Sequence, residues 1–438
     1  MRSLLLLLAI AVASGQTVSD PSELLARALA KLREMMPQLS RYACLETVNR
    51  SYYRRVTDAT DAPVAVAAPP ACSQIHPVSG RESLRLEAAD RVRLEVSVSQ
   101  GREIHSWPGA TQFDSRGVEE IIRDGPIGTG AYGSYLMGVL DTPGVDFRYA
   151  GEKASDGRVL LEYTYRIPLE ASHYRFKAGL GWEAVAYQGS LWLDPESLEL
   201  QRLTVQARDL PPHTAVCEAN ATIDYHRVRI GGGQVLLPSQ GQLHLLRRSA
   251  RETTNITTFS DCREYHAESE LLFGDRPDAE STAARWVVRM PVALPIGLPI
   301  TLALNAAIDS GAAAAGDPVA ATVVKPVRRP GSSEILIPAG ATVRGRITRM
   351  EHHVFPTSYF LIAMSFNRLE RQNVSSPFAA RMEPSAELAR ELGASLLVRE
   401  SGLNFWDLGT FLFPSARSRH VLPAGFQSKW FTLATPSR

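Results

Sequence analysis

Apolar residues near the start of the chain recur at the spacing of one helix face. They follow Asp20, a residue type that caps helices, and they stop at Pro37. The apolar positions are Leu25, Leu29, Leu32 and Met36. This pattern predicts an amphipathic helix between Asp20 and Pro37, whose apolar face must be buried against the rest of the protein.

A two-residue period then replaces the helical one. Between residues 84 and 98 the alternating apolar positions are Leu84, Leu86, Val92, Leu94, Val96 and Val98. Further strands are predicted at residues 42–53, 159–167, 172–176 and 257–273, with hairpins across residues 184–207 and at Gly231, Gly232 and Gly233. Because alternation buries one face and leaves the other in water, these segments predict an antiparallel sheet.

Residues 117–140 interrupt the strand pattern with two short predicted helices around a glycine-rich loop. Gly128, Gly130 and Gly133 match the spacing of dinucleotide-binding loops. Such a loop must follow a strand inside a parallel βαβ unit, whereas here a helical segment precedes it. We therefore interpret the glycines as a tight connection between helices.

From about residue 291 the chain repeats a turn in which an apolar residue and proline precede glycine. The turn occurs at residues 294–297, 337–340 and 422–425, and strands follow it. Short strands at this density predict a small β-barrel, with one helix at residues 384–398. The predicted organisation is a first module at 16–275, a linker at 276–290 and a barrel module at 291–438.

The first 15 residues have the pattern of a secretory signal. Arg2 precedes an apolar run from Leu4 to Val12, and small residues follow. This run is too short to span a bilayer, although an uncleaved anchor is an alternative. No later stretch is long and apolar enough to span one. We therefore predict a periplasmic or extracellular protein with no transmembrane segment in the mature chain.

The four cysteines are Cys44, Cys72, Cys217 and Cys262. An even number in an exported chain indicates disulfides rather than free thiols. Three pairings are possible, and proximity in sequence favours Cys44 with Cys72 and Cys217 with Cys262. The cysteines lack the close pairs of zinc sites, so no metal is predicted.

Charge and motifs argue against several functional classes. The formal net charge is +1 and falls to zero when Arg2 is removed, which leaves no electrostatic footprint for nucleic acid. The serine-nucleophile and zinc-protease motifs do not occur. We predict neither catalytic residues nor a cofactor, and a hydrolase using two carboxylates distant in sequence is left open.

Residues 189–203, together with the order of helix, strands, inserted short helices and further strands, resemble the periplasmic lipoprotein-carrier family. The resemblance spans about residues 20–273. It implies an incomplete antiparallel barrel around helices that holds acyl chains.

Four segments of the last module resemble the β-barrel domain of conjugation and type IV secretion channel proteins. These segments are residues 295–304, 308–310, 316–319 and 335–345. That resemblance implies a role in an envelope assembly.

The sequence thus predicts a mainly β protein with a few helices, in which a curved antiparallel sheet covers helices and a small β-barrel follows. Several predicted strands carry large aromatic or apolar residues. These are Tyr163, Tyr165, Trp182, Tyr187, Trp192 and Leu193. Our first hypothesis is a non-catalytic envelope protein that binds a lipid or acyl ligand in a cavity. The alternative is a structural or assembly protein with a filled core that docks an envelope protein partner.

Overall fold

The computed structural model describes residues 20–55, 71–75, 84–122, 125–155, 157–178, 181–265, 294–371, 374–382, 409–415 and 417–434. The predicted signal segment 1–15, the linker 276–290 and the helix at 384–398 lie outside these ranges.

The described residues form three α-helices: α1 (Pro21–Met35), α2 (Val118–Ile121) and α3 (Ser134–Asp141). The Asp20 carboxylate caps α1 by accepting the backbone N–H of Ser22 at 2.9 Å. The chain continues beyond α1 as a 3₁₀ helix over Met36–Arg41. Pro37 fits the first turn of that helix, where its missing N–H is not needed. Further 3₁₀ turns are Cys72–Gln74, Leu169–Ala171 and Pro212–Thr214.

Strands make up most of the described chain. Up to residue 265 they are β1 (Tyr42–Arg55), β2 (Leu84–Ser99), β3 (Arg102–Ser106), β4 (Asp146–Ser155), β5 (Arg158–Ile167), β6 (Arg175–Ala178), β7 (Gly181–Ala184), β8 (Ala186–Leu193), β9 (Leu200–Arg208), β10 (Val216–Ile230), β11 (Gly233–Arg247) and β12 (Glu252–Glu264). Beyond residue 294 they are β13 (Pro299–Leu304), β14 (Ile308–Asp309), β15 (Pro318–Val323), β16 (Val327–Arg328), β17 (Ile335–Ile337), β18 (Thr342–His353), β19 (Tyr359–Arg371), β20 (Val374–Pro377), β21 (Ala380–Met382), β22 (Gly409–Pro414), β23 (Val421–Leu422) and β24 (Gln427–Thr432).

The first group forms a curved antiparallel sheet in the order β3-β2-β1-β12-β11-β10-β9-β8-β5-β4. Among the described residues no pairing joins the two edge strands, β3 and β4. The sheet is therefore an incomplete barrel. Helices α1 and α3 pack inside it through Leu32, Leu136 and Val139 against the inward side chains of the strands.

Hairpin β6–β7 stands apart from that sheet as a separate two-stranded unit. The sequence predicted one hairpin over 184–207, whereas Ala184 ends β7 and the larger hairpin is β8–β9. The Ser172 hydroxyl donates to the Val185 carbonyl oxygen at 2.6 Å, and the Val185 N–H donates to the Tyr174 carbonyl oxygen at 3.0 Å. These bonds hold residues 172–174 beside the chain that links β7 to β8.

The last group pairs antiparallel in the order β22-β19-β18-β15-β13-β24-β21 around its own apolar core. Trp430 lies at the centre of that core and is fully buried. No pairing closes β21 onto β22 within the described part of the chain. The closed barrel expected here stays a prediction.

The edge of β2 that faces away from β1 joins the two groups of strands. β3 covers Glu95–Ser99 of this edge, and β18 pairs with Ala88, Ala89 and Asp90. Between them the Arg93 N–H donates to the Ala315 carbonyl oxygen at 2.8 Å, and the Ala315 N–H donates to the Arg91 carbonyl oxygen at 2.9 Å. Backbone hydrogen bonds thus tie the last group of strands to one strand of the first.

The disulfides join Cys44 to Cys262 and Cys72 to Cys217. The pairing favoured by proximity in sequence, Cys44 with Cys72 and Cys217 with Cys262, is therefore wrong. Strand pairing is the reason, because β1 lies beside β12 and brings the Cα atoms of Cys44 and Cys262 to 4.0 Å. Neighbours in a sheet can be far apart in sequence, so sequence distance does not decide which cysteines meet.

Candidate functional site

A hollow of about 930 Å³ lies inside the curved sheet. Helices α2 and α3 and the glycine-rich loop, residues 125–133, form one side of it. The inner faces of β8, β10 and β11 and the hairpin β6–β7 form the other. The site is thus a space between the sheet and the helices.

Aromatic rings and leucines supply the apolar wall of the hollow. Leu243 and Leu245 point inward from β11, and an aromatic group faces them. The rings of that group are Tyr135, Tyr174, Phe176, Trp182 and Tyr187. Tyr174 packs edge-on against Tyr135, with ring centroids 5.3 Å apart, and against Tyr187, at 5.8 Å. Edge-to-face contacts of this kind fix ring positions and leave an apolar surface of defined shape.

The phenol groups in this wall are neutral at physiological pH. Burial raises the pKa of Tyr174 to about 12 and that of Tyr187 to about 12. Tyr135 is shifted in the same direction, and burial is again the largest cause. The wall therefore offers hydroxyl groups for hydrogen bonding without adding negative charge to the hollow.

The glycine-rich loop is held by the carboxylate of Glu103, which points inward from β3. This carboxylate accepts the backbone N–H of Gly130 at 2.6 Å, of Gly133 at 2.9 Å and of Ser134 at 3.4 Å. Burial raises the pKa of Glu103, and the backbone donors oppose that rise. A carboxylate of the protein thus occupies the N–H groups that a nucleotide loop offers to phosphate, so the glycine motif has a structural role.

A second polar anchor holds the start of the same loop. Arg50 pairs with Asp90 through Nε–Oδ1 and Nη2–Oδ2 distances of 2.6 and 2.9 Å. Asn255 Nδ2 donates to the Pro126 carbonyl oxygen at 3.0 Å, and Arg50 Nη1 approaches the same oxygen at 3.5 Å. The polar residues on the inner face of the sheet therefore seat a loop backbone that would otherwise lack hydrogen-bond partners.

A buried ion pair lies next to Glu103. His105 Nε2 is 3.3 Å from Glu46 Oε2, and each residue is 3% exposed. Burial lowers the pKa of His105, but the carboxylates of Glu46, Glu103 and Glu119 outweigh it, so the pKa lies above the usual value. The pair holds β1 against β3 at the wall of the hollow.

Only part of the predicted aromatic set reaches the site. Trp182 and Tyr187 line the hollow, while Tyr163 and Tyr165 are buried in the core. Trp192 lies on the opposite face of β8, where its Nε1–H donates to Glu162 at 3.2 Å. Leu193 belongs to the core as well.

Sequence reasoning missed Glu103 and His105. The available signal was two ionisable residues at alternate positions of one strand, pointing to the face that carries Val96 and Val98 on the neighbouring strand. Two charged groups on a buried face must have partners, and the glycine-rich loop and Glu46 are those partners.

No metal site or membrane helix emerges from the described part of the chain. Within it, His, Cys, Asp and Glu side chains form no group of three or more that could hold an ion. None of the helices described there has the length and apolarity needed to cross a bilayer.

Three solved structures share a general likeness with the chain. One is a putative outer membrane lipoprotein-sorting protein domain from Vibrio parahaemolyticus, with 8% identity, a TM-score of 0.28 and coverage of 55% of this chain and 93% of that one. Another is a DUF1329 family protein from Desulfovibrio piger, with 12% identity, a TM-score of 0.26 and coverage of 59% and 96%. The third is a LolA superfamily protein from Nitrosomonas europaea, with 9% identity, a TM-score of 0.25 and coverage of 56% and 97%.

These TM-scores and identities are too low to carry an argument, so the fold assignment rests on the strand pairing. No protein-family model matches the chain, and no curated protein matches it in sequence.

Proposed function

We propose that this chain is a non-catalytic, exported cell-envelope protein that binds a lipid or another apolar ligand in the hollow. The observation that carries the proposal is the space itself, about 930 Å³ between the sheet and the helices. This volume lies within the roughly 300–1,000 Å³ that is typical of small-molecule sites. Aromatic rings and leucines supply the apolar part of its wall. Burial of an acyl chain at about 0.8 kcal/mol per methylene would drive binding.

The disulfides support export. Cys44–Cys262 and Cys72–Cys217 account for all four cysteines of the chain. Such bonds persist in oxidising compartments such as the periplasm and the extracellular space. The predicted signal at residues 1–15 points to the same destination.

The bonding of the charged groups beside the hollow supports a binding role over a catalytic one. Glu103 is engaged by backbone N–H groups, and His105 is paired with Glu46. These groups hold the walls in place. The protein needs no chemical step to carry out the proposed role.

The two largest apolar clusters of the described residues support the proposed division into modules 16–275 and 291–438. One core packs around α1, α3 and the curved sheet, and the other packs around Trp430. The alternative to ligand binding is a structural or assembly role in which the second module docks a protein partner in the envelope. Cross-linking in cells that recovers a fixed partner through residues of this module would support that role.

Ligand binding can be tested by displacement of the uncharged fluorophore N-phenyl-1-naphthylamine with dodecanoic acid. We expect the full chain to enhance the fluorescence of the probe and the acid to displace it. Ala184 lines the hollow, so Ala184→Trp should fill part of it and weaken binding about tenfold or more. Ala154 is exposed on the edge strand β4, so Ala154→Trp is the matched control. Equal binding by both variants, or no binding by the unmodified protein, would overturn the proposal.

A further inference from the structure

The inward row of β11 changes from apolar to cationic as it approaches one end of the hollow. Leu243, Leu245 and Arg247 alternate along the strand and all line the hollow. Because alternate residues share one face of a strand, a ligand lying along the leucines would meet the Arg247 guanidinium at its end.

The facing wall also carries an arginine. Arg175 lies between Tyr174 and Phe176, and all three line the hollow. Tyr174 and Phe176 pack against the small cluster that contains Val216 and Leu245. Arg175 lies on the opposite face of β6 from these two rings and pairs across the hairpin with Ala184, which also lines the hollow.

No described residue neutralises either guanidinium. In the described part of the chain, the side chains of Arg175 and Arg247 make no hydrogen bond or ion pair, although other arginines around the sheet do. Arg202 Nε contacts Asp224 at 2.5 Å, and Arg263 Nη2 contacts Glu95 at 2.7 Å. The acid on the strand facing Arg175, Glu183, is already bonded to His213 Nε2 at 2.5 Å.

We propose that Arg175 and Arg247 bind the anionic head group of an amphiphile whose acyl chain lies along Leu245 and Leu243. This inference rests on the proposed function and narrows its ligand class to acyl compounds with a carboxylate or phosphate head. Guanidinium groups suit both heads, since they donate several hydrogen bonds in a plane and stay charged at every physiological pH. The apolar wall alone would accept a neutral or a cationic amphiphile equally well.

The hollow also carries acidic groups that make a cationic ligand the rival. Glu119 on α2 and Asp141 on α3 line it on the helix side. The same displacement assay distinguishes an anionic from a cationic ligand with three compounds of one chain length. These are dodecanoic acid, dodecyl phosphate and dodecylamine. Glycerol monododecanoate serves as the neutral member of the series.

We expect both anionic compounds to bind about tenfold more tightly than the neutral ester, and the amine to bind no better than the ester. The double variant Arg175→Gln/Arg247→Gln should lose that advantage and keep its affinity for the ester. The variant Arg175→Lys/Arg247→Lys keeps the charge and should retain most of the preference. Arg229 is exposed on β10 away from the hollow, so Arg229→Gln should bind like the unmodified protein.

Failure of this inference is distinguishable from failure of the proposed function. If the ester and the acids bind equally, or the amine binds best, the head-group assignment is wrong while the apolar site stands. A preference for the acids that survives in the folded Gln double variant also refutes the role of the arginines. If none of the compounds displaces the probe, both proposals fall. Tighter binding of the phosphate than of the carboxylate would identify a phosphate head, and the reverse a fatty acid.

Discussion

The carboxylate of Glu103 links the glycine-rich loop to the sheet. It accepts the N–H groups of Gly130 in the loop and of Gly133 and Ser134 at the start of α3. Without this acceptor the N–H groups must find water or stay unpaired, and each unpaired buried donor is costly. The carboxylate therefore helps to fix the wall of the hollow formed by α3.

We expect Glu103→Ala to lower the free energy of unfolding by about 3 kcal/mol, because several charge-assisted hydrogen bonds are lost together. Glu103→Gln keeps one acceptor oxygen and should lose about half as much. Glu152 is exposed on β4, and Glu152→Ala should change little. Urea denaturation measures all three. A Glu103→Ala protein as stable as the Glu152→Ala control would contradict the anchoring role.

The ion pair of His105 with Glu46 should give stability a defined pH dependence. The carboxylates raise the folded-state pKa of His105 above its ordinary value of 6.5. A raised histidine pKa means that the pair stabilises the fold fully below about pH 6.5, and that this contribution is lost as pH rises through the folded pKa.

We therefore expect the stability difference between the unmodified protein and His105→Gln to be largest below pH 6.5 and to shrink toward pH 9. His226 is exposed on β10, so His226→Gln should show no such trend. Urea midpoints measured at several pH values check this. A difference that grows as pH rises would mean that the pKa is shifted in the opposite direction.

At the residue scale, the sequence predicted which residues have a structural role better than it predicted which residues they contact. The sequence indicated that all four cysteines form disulfides, yet proximity favoured the wrong partners. It also indicated aromatic residues on the strands, yet only Trp182 and Tyr187 of that set face the hollow. Which residues meet depends on which strands lie side by side. Those strands can be far apart in sequence, so a local sequence pattern does not identify them.

At the scale of elements, the edge of β2 that faces away from β1 connects the two groups of strands. Along this edge Asp317 contacts Arg93 at 2.6 Å, and Gly316 lies directly against the strand. Gly316 has a φ of +107°, and a Cβ there would lie 2.2 Å from the Arg93 carbonyl oxygen and 2.9 Å from the Trp107 ring. Only glycine fits that position.

We expect Gly316→Ala to destabilise the junction by about 3 kcal/mol or more, since it combines backbone strain with a steric clash. Gly331 also has a positive φ, +72°, but no atom lies within 4 Å of its Cβ position. Gly331→Ala should therefore cost only the left-handed backbone term, about 1 kcal/mol. Thermal unfolding compares the two variants, and equal losses would show that contact with β2 is not what requires glycine.

The disulfide between Cys44 and Cys262 fixes β1 against β12. The two residues are 218 positions apart, so the bond restricts a long stretch of the unfolded chain. We expect Cys44→Ala/Cys262→Ala to lower stability by about 3–5 kcal/mol. Peptide mapping under non-reducing conditions should find Cys44 linked to Cys262 and Cys72 linked to Cys217. A peptide that links Cys44 to Cys72 would contradict this strand arrangement.

Helices and strands with a clear hydrophobic period were predictable, whereas the pairing of the strands was less so. The alternation at residues 84–98 predicted a strand that the structure extends over Leu84–Ser99, and the stripe from Leu25 predicted α1. The two short helices around the glycine-rich loop were also expected. The separation of β6–β7 from the main sheet was not, because alternation indicates a strand but not the partner with which it pairs.

At the scale of the whole molecule, the mainly β class and the curved antiparallel sheet over helices were predictable from the order of elements. Whether space remains between sheet and helices was not predictable. An inward-facing row such as Leu243 and Leu245 has the same pattern whether it packs on a helix or borders a void. The size of side chains on both walls decides this, and only the assembled fold brings the walls together.

The central claim is that the hollow is open to a ligand, and a crystal structure of the full chain soaked with a brominated fatty acid tests it most directly. We expect anomalous bromine density between α3 and the inner face of β11, near Leu243, with the walls in the positions described. Bromine density only on the outer surface, or side chains closing the space in the crystal, would contradict the claim.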